Sequence, residues 1–309
     1  MTITVYFAAT DARWPQYEQP LKDAFEELGL EVDLSHHCDD PATVDYLVFA
    51  PNGPVEDFRP FTRAKAVLNL WAGVENVVHN PTLQIPLARM VDHGLTEGMV
   101  EYVTGHVLRY HLDMDRHFGA TDWAPAAPPL ARDRTVGILG LGALGTACVQ
   151  ALAALNFQVM GWSRRAKSLA DVQSFHCDEG LDTVLAQSEI LVLLLPHTPQ
   201  TERLLNADTL GKTRQGLRII NPGRGALIDD GALLAALDTG LVAHATLDTF
   251  VVEPLPKDHP YWAHDNVTIT PHIASETRPD SAARVIAENI RRGEAGEPLL
   301  HLVNQSAGY

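Results

Sequence analysis

The sequence predicts an α/β chain of two parallel-sheet domains, one inserted into the other. Three observations carry this. Short apolar, β-rich runs alternate with helix-compatible stretches along nearly the whole chain, the pattern of βαβ units. The runs of the second half are apolar on both faces, as strands covered by helices on each side must be. The length of 309 residues is enough for two cores.

The elements follow in order. Thr2 to Ala8 reads as a first strand, Tyr17 to Leu28 as a helix, and Tyr46 to Ala50 and Val67 to Leu70 as two further strands. From Thr96 to His117, apolar side chains at Met99, Val100, Val103, Val107 and Leu108 fall close to helical spacing, so a long helix leaves the first domain. Asp122 to Pro129 is too rich in proline for a regular helix and is expected as a surface connection. A cleaner series begins at Arg134, with apolar runs at Thr135 to Gly140, Gln158 to Trp162, Ile190 to Leu195, Leu217 to Ile220, Ala245 to Asp248 and Thr268 to Thr270. Thr146 to Leu155 and Asp229 to Asp238 are helix-compatible stretches between them, and Arg278 to Arg292 reads as a last long helix. No short repeat interrupts this order.

Composition excludes several classes. A formal charge of -16 repels nucleic acid phosphates and anionic lipid headgroups, so neither nucleic acid nor a membrane is an expected partner, and an anionic ligand needs a local cluster of cations. The N-terminal MTITVYFAATDARW has no basic region ahead of a long apolar run and reads as a strand, not a signal peptide. No apolar run is long enough to span a bilayer. Cys38, Cys148 and Cys177 are far apart and lack CxxC spacing, which points to no disulfide framework and fits a reducing cytoplasm. His36, His37 and Cys38 form a triplet without a second ligand pair at zinc-site spacing, so no metal is expected. Sequons at Asn266 and Asn304 are read as chance matches.

The first chemical signal is TVGILGLGALG, which places Gly140, Gly142 and Gly145 in the GxGxxG pattern between an apolar strand and a helix. Gly140 permits the tight turn, Gly142 lets backbone approach a pyrophosphate, and Gly145 lets the helix pack close to the sheet. The helix N-terminus at Ala143 and Leu144 adds amides and a positive dipole, so a bound dinucleotide is expected. The next strand ends in Ser163, Arg164 and Arg165, where a proten preferring NAD presents a carboxylate to the ribose. A hydroxyl followed by two guanidinium groups suits the extra phosphate of NADP, so NADPH is expected over NADH; the bland alternative is a solvated basic loop.

Arg224, Glu253 and His272 each follow an apolar strand, where open α/β sheets bind ligands. Reduction of a carbonyl needs a proton donor at oxygen, and histidine has the side chain whose ordinary pKa is nearest neutrality. A carboxylate such as Glu253 favours an imidazolium and orients it. The guanidinium of Arg224, between Gly223 and Gly225, offers a fork for a carboxylate and a polarised carbonyl. Singly each has a bland surface reading; the joint pattern is what points to chemistry.

GLGALG, NPGRG, TLDTFVVEPLP and TPHIAS, in that chain order, resemble the D-2-hydroxyacid dehydrogenase family over nearly the whole sequence. WSRR, LLPHTPQT, WAGVE, EYV, ITPHIASETRP and the terminal GY resemble its short bacterial glyoxylate/hydroxypyruvate reductases of type A, a subgroup that prefers NADPH. The resemblance implies that Arg224 binds and polarises a small 2-oxo acid, that Glu253 pairs with His272, and that His272 donates the proton. It implies that backbone amides of Trp71, Ala72, Gly73 and Val74 hold the substrate carboxylate, and that Asp248 meets the nicotinamide carboxamide, with a strand-end cap as the bland alternative. Leu195, Pro196, His197 and Thr201 are expected on the adenosine side, and Asn221, Pro222 and Gly223 beside the nicotinamide. Pro222 and Gly223 depart from the residues more usual in this subgroup before the arginine. The loop from Phe49 to Gly53 is expected to close over substrate.

The expectation is therefore two Rossmann-like or flavodoxin-like domains: residues 1–95 plus 276–309 for substrate and an inserted 96–275 for the cofactor, joined by two crossing helices, with substrate in the cleft. A homodimer formed largely through the cofactor domain is implied by the resemblance. Two rival readings stand beside it: a dehydrogenase for phosphoglycerate or a bulkier 2-hydroxy acid, and a non-catalytic nicotinamide sensor resembling corepressor relatives.

Overall fold

β-branched and aromatic runs build two separate parallel sheets in this computed structural model, which describes residues 2–118, 120–169 and 172–305. In chain order the elements are β1 (Ile3–Ala8), α1 (Trp14–Glu27), β2 (Val32–Ser35), β3 (Tyr46–Phe49), β4 (Ala66–Asn69), β5 (Leu87–Ala88) and α2 (His93–His111). There follow β6 (Thr135–Leu139), α3 (Ala143–Ala154), β7 (Gln158–Trp162), β8 (Gln173–Phe175), α4 (Cys177–Gln187) and β9 (Ile190–Leu193). The rest are α5 (Ala207–Leu210), β10 (Leu217–Asn221), α6 (Asp230–Asp238), β11 (Val242–Leu247), β12 (Val267–Ile269) and α7 (Pro279–Ala295). The chain divides into two units, Met1–Leu95 with Glu276–Tyr309, and Thr96–Ser275.

The first unit is a five-stranded sheet in the order β2-β1-β3-β4-β5, with every pair parallel. One face is covered by α1 and α7, which interleave Tyr17, Leu21, Ala24 and Phe25 with Ala282, Ala283, Ile286, Ala287 and Ile290. A fully buried leucine, isoleucine or phenylalanine side chain stabilises by about 1.5–3 kcal/mol, so the C-terminal helix is held to this unit by packing. The other face carries Phe58, Phe61, Val74, Val77 and Leu83 from the long connections. Helix α1 starts earlier than its apolar spacing suggests because Pro15 is at home in a first turn, where its missing N–H is no loss.

The second unit holds a seven-stranded parallel sheet in the order β12-β11-β10-β9-β6-β7-β8. Strand β6 starts the unit's sheet in its middle; β7 and β8 extend one side and β9 to β12 the other, so the order reverses between β6 and β9. That reversal creates a crevice beyond the carboxyl ends of the strands, the place where doubly wound sheets bind ligands. Strand residues such as Val136, Ile138, Leu191, Val192, Ile219 and Ile220 are buried on both faces, as the continuous apolar runs require. Met99, Val103, Val107 and Tyr110 of α2 pack with Val149 and Leu152 of α3 over one of those faces.

Helix α2 stops at His111, short of the expected His117, because Asp113 takes a left-handed backbone (φ 53°) and a separate turn of helix follows at Met114–Arg116. Residues 121–130 are exposed and carry no regular element. Edge strands β2 and β8 and helix α4 escaped the sequence reading: the two strands are short and only partly buried, and so lack long apolar runs. Among the described residues, no helix is long and apolar enough to cross a membrane.

Candidate active site

The glycine turn lies at the reversal point, between β6 and α3. Gly140 adopts φ 111°, and a side chain there would run into the carbonyl of Leu194, just past β9. A Cβ at Gly145 would overlap the Gly140 carbonyl oxygen, so α3 begins closer to the turn than any other residue allows. Gly142 is the opposite case: nothing lies within 4 Å of where its Cβ would be, and no side chain caps the first amides of α3. Ala143, Leu144 and Gly145 therefore begin a helix whose N-terminus faces open space, a cradle that fits a pyrophosphate.

At the end of β7, the buried Ser163 donates through Oγ to the Arg165 carbonyl at 2.8 Å, tying the turn from which the exposed Arg164 and Arg165 project. Lys167, further along the same loop, donates from Nζ to the carbonyl of Leu141, inside the glycine turn. Beyond β9, Thr201 knits its own loop: Oγ1 donates to the Pro196 carbonyl at 2.7 Å and accepts from the Thr198 amide at 2.9 Å. Leu195 is buried beneath it, and His197 stands partly exposed with Nε2 4.0 Å from Glu202.

Three neighbouring strands deliver the candidate chemistry to one end of the sheet. At the end of β10, the fully buried Asn221 donates from Nδ2 to the Arg224 carbonyl at 2.9 Å and accepts from the Gly223 amide at 3.2 Å, so its side chain shapes the turn that carries the arginine. Pro222 and Gly223 are buried in that turn, and the guanidinium of Arg224 reaches the Gly223 carbonyl at 2.7 Å. Gly225 is needed for close approach, not for an unusual φ: its Cβ would collide with the backbone of Phe250 and Val251, on the segment leading to Glu253.

Beyond β11, Glu253 accepts from the Phe250 amide at Oε1 (2.9 Å) and lies 2.8 Å from His272 Nδ1 at Oε2. The peptide bond to Pro254 is cis. Beyond β12, His272 has a left-handed backbone (φ 54°) and a side chain 52% exposed. With Nδ1 engaged by the carboxylate, Nε2 is the ring nitrogen left for a ligand.

The segment around His272 hangs on Asp248, whose residue is 0% exposed. The Asp248 carboxylate accepts from Thr270 Oγ1 (2.6 Å) and the Ile273 amide (2.8 Å) at Oδ1, and from the Ala274 amide (3.0 Å) at Oδ2. Its carbonyl accepts from the His272 amide at 2.9 Å. Tyr102 of α2 shares a 2.7 Å hydrogen bond with the Thr270 hydroxyl, and burial pushes the phenol's pKa up. This carboxylate serves the His272 segment, a role nearer to the strand-end cap that stood as the bland alternative. Thr270, Tyr102 and Lys167 were missed altogether, since their contacts come from distant residues and leave no local signature.

In the first unit, the Trp71–Val74 turn follows β4. Asn69, buried at the strand end, donates to the carbonyls of Trp71 (2.9 Å) and Gly73 (3.0 Å) and sets its shape, while Trp71 is partly exposed and Val74 buried. In the loop from Phe49 to Gly53, the Gly53 amide closes a tight turn on the Ala50 carbonyl at 2.8 Å. His36 stacks on Trp14 (4.7 Å between centroids) and meets the ring of His37 at a tilt (3.9 Å), and among the described residues no group of three potential ligands could hold a metal. The terminal Gly308 and Tyr309 lie outside the described residues.

A glycine turn at the reversal of a parallel doubly wound sheet, with Arg224 and a Glu253–His272 pair at the same end, is the architecture of a dinucleotide-dependent dehydrogenase. The chain belongs to the D-isomer specific 2-hydroxyacid dehydrogenase family: residues 104–274 match the profile of that family's NAD binding domain. It is 40% identical over 281 residues to glyoxylate/hydroxypyruvate reductase A of Yersinia enterocolitica, covering 87% of this chain and 89% of that one. A D-isomer specific 2-hydroxyacid dehydrogenase from Xanthobacter autotrophicus, solved with NADPH and MES, superposes with a TM-score of 0.91 at 41% identity, covering 99% of each chain. The NADPH-dependent glyoxylate/hydroxypyruvate reductase of Sinorhizobium meliloti, solved with NADP and sulfate, gives a TM-score of 0.86 at 34% identity, covering 100% of this chain and 99% of that one.

Proposed function

We propose that the chain reduces a small 2-oxo acid, glyoxylate or hydroxypyruvate, to the 2-hydroxy acid with NADPH. The observation that carries the proposal is the 2.8 Å contact between His272 Nδ1 and Glu253 Oε2, delivered with Arg224 by three adjacent strands to the end of the sheet where the glycine turn lies.

The substrate carbonyl gains a hydride at carbon and a proton at oxygen. Bound NADPH supplies the hydride. His272, as imidazolium, gives up the proton at Nε2, while Nδ1 stays on Glu253; its half-exposed ring then recovers a proton from water. Arg224 polarises the carbonyl and pairs with the carboxylate beside it, concentrating positive charge where negative charge develops. In the first unit, the amides of Trp71, Ala72, Gly73 and Val74 are the candidates for binding a carboxylate.

Gly140, Gly142, Ala143, Leu144 and Gly145 would hold the pyrophosphate, Ser163, Arg164 and Arg165 the ribose phosphate, and Leu195, Pro196, His197 and Thr201 the adenosine side. Asn221, Pro222, Gly223 and Asp248 would shape the nicotinamide end through the backbone they fix. Residues 96–275 thus serve as the cofactor domain, and 1–95 with 276–309 as the substrate domain. The partner is a second copy of the chain, a reading supported by the exposed Phe118, Trp123 and Leu130 of the second unit, Trp123 at 95% exposure. Three free cysteines support a reducing, cytoplasmic setting.

The test is oxidation of NADPH and of NADH by the purified chain across a panel of 2-oxo acids graded in length and charge. Glyoxylate and hydroxypyruvate with NADPH should give the highest kcat/KM. Tight NADPH binding without turnover on any acid would overturn the proposal. Light scattering should show a dimer, and replacing Trp123 with a charged residue should weaken it.

A further inference from the structure

We propose that Asn69 is a positioning residue for substrate binding: by drawing two carbonyls of the turn after β4 toward itself, it sends the amides of Ala72 and Val74 the other way, as a paired donor for a carboxylate. The inference rests on the 2-oxo acid reading above and adds to it the side chain that sets the amides' direction.

Strand β4 ends at Asn69, which is 1% exposed, and the turn through Val74 follows. Nδ2 directs both of its protons at that turn, one to the Trp71 carbonyl at 2.9 Å and one to the Gly73 carbonyl at 3.0 Å. A trans peptide is planar, with its C=O and N–H pointing opposite ways, so a carbonyl held toward Asn69 turns the next residue's amide away from it. Ala72 follows Trp71 and Val74 follows Gly73, so both of these amides leave the turn on the side away from Asn69. The Trp71 carbonyl has a second donor in the Met90 amide at 3.1 Å. Among the described residues the Gly73 carbonyl has Asn69 alone, so the direction of the Val74 amide rests on this one side chain.

Those amides are unclaimed within the fold. Among the described residues, none of the N–H groups of Trp71, Ala72, Gly73 and Val74 donates a hydrogen bond. Val74 is 2% exposed, and a buried backbone N–H without a partner is rare in folded proteins. Successive amides left open in a turn form a concavity that suits an anion. Asn69 shows the same bias toward donation. Its Oδ1 is buried without a partner, which costs free energy that an apolar side chain of similar shape avoids. Stability alone favours filling that acceptor or removing it; aiming the amides requires only the two N–H donors.

The rival role is a structural cap that holds the turn and nothing else. Kinetics separates the two, because a carboxylate bears the same charge before and after hydride transfer. Amides that bind it act on ground state and transition state alike, and their loss is read in KM and not in kcat. Full-length wild type, Asn69→Leu and Asn69→Ala are assayed with NADPH and the 2-oxo acid that wild type reduces best. Oxamate serves as a non-reducible carboxylate inhibitor, and fluorescence titration with NADPH and thermal melting complete the set. Both substitutions should raise KM and the oxamate inhibition constant together by about tenfold, the loss of one well-aimed hydrogen bond to a charged group. Turnover and NADPH affinity should change by less than about threefold. Asn69→Leu should melt close to wild type, since the lost hydrogen bonds and the removed orphan oxygen offset each other. If Asn69→Leu fails to fold, Asn69→Ala, which removes the donors without adding bulk, decides by the same measurements. An unmoved KM and oxamate constant, or a fall in kcat with KM unmoved, overturns the inference alone; loss of folding in both variants gives Asn69 the structural role and overturns it as well. A wild type that reduces no 2-oxo acid and is not inhibited by oxamate overturns the reading of the site, and the inference with it, before any substitution is made.

Discussion

Replacing Asp248 with asparagine changes almost no volume and reverses one hydrogen bond. All three groups on the carboxylate are donors: Thr270 Oγ1 and the Ile273 amide at Oδ1, and the Ala274 amide at Oδ2. An asparagine must turn its NH2 toward one side. Facing Oδ1 it meets the Ile273 amide and the Thr270 hydroxyl; facing Oδ2 it meets only the Ala274 amide, so the second orientation wins. One backbone N–H is then buried without a partner, which costs about 1–3 kcal/mol. The other two bonds lose their charge assistance, roughly another 1 kcal/mol in all after solvent compensation. The sum is about 3 kcal/mol, which for a unit of this size lowers Tm by roughly 6–12 °C. Because the released Ala274 amide lies two residues after His272, held at φ 54°, turnover should fall by about tenfold or more. Scanning calorimetry and single-turnover kinetics check both halves. An Asp248→Asn protein with wild-type Tm and wild-type turnover would refute the argument that this buried carboxylate organises the histidine.

Three other outcomes follow from the same geometry. His272→Ala should lower kcat by roughly 10²–10⁴-fold, the range for losing a general acid; its half-exposed side chain predicts little change in melting, and retained turnover would remove it from the chemistry. Gly145→Ala drives a Cβ into the Gly140 carbonyl, so it should destabilise by about 1–3 kcal/mol and weaken NADPH binding; unchanged affinity in a fluorescence titration would mean that the turn can yield. Burial, reinforced by Arg109, pushes His244 down to about 4, below the ordinary histidine value near 6.5. The unfolded chain therefore takes up this proton first as pH falls, and the associated stability, complete above about pH 6.5, is lost on the way down to about 4. With solvent screening of a half-buried ring the effect is about 1–2 kcal/mol, and urea midpoints of His244→Gln should decline less steeply with acid than those of wild type; parallel slopes would count against it. His106 and His111, also lowered by burial, add a background of the same sign to both proteins.

The sheets were legible because their strands are buried on both faces: a run such as Ile190–Leu193 has no polar alternation to disguise it. The glycine turn was legible because its requirement is local, two close approaches and one open position within six residues of sequence. Arg224, Glu253 and His272 were picked out by their place after strands. What stayed hidden depends on partners far along the chain. The signal for Asp248 as an anchor lies in Thr270, Ile273 and Ala274, more than twenty residues later, and nothing in TLDT announces them. Lys167 is a lysine in a polar loop until the fold returns it to Leu141. Gly225 reads in sequence only as one of two glycines beside Arg224, whereas its reason is the backbone of Phe250 against it.

These hidden contacts explain how a sheet end becomes a site. Neighbouring parallel strands lie about 4.8 Å apart, so β10, β11 and β12 alone would leave their loops side by side, each free to settle on its own. Two links remove that freedom. Close packing at Gly225 presses the Arg224 turn onto the segment before Glu253, and the pair of Glu253 Oε2 with His272 Nδ1 joins that segment to the third loop. A left-handed residue other than glycine, asparagine or aspartate is disfavoured by about 1–2 kcal/mol, so His272 holds φ 54° only because neighbouring bonds enforce it. The Asp248 carboxylate, with its two amides and one hydroxyl, supplies that enforcement from below the surface, while Glu253 orients the ring from above. Backbone and ring of the same histidine are thus set by two different carboxylates, which is why substitutions at Asp248 and Glu253 should combine non-additively in kcat: once either has released His272, losing the other has less left to disturb.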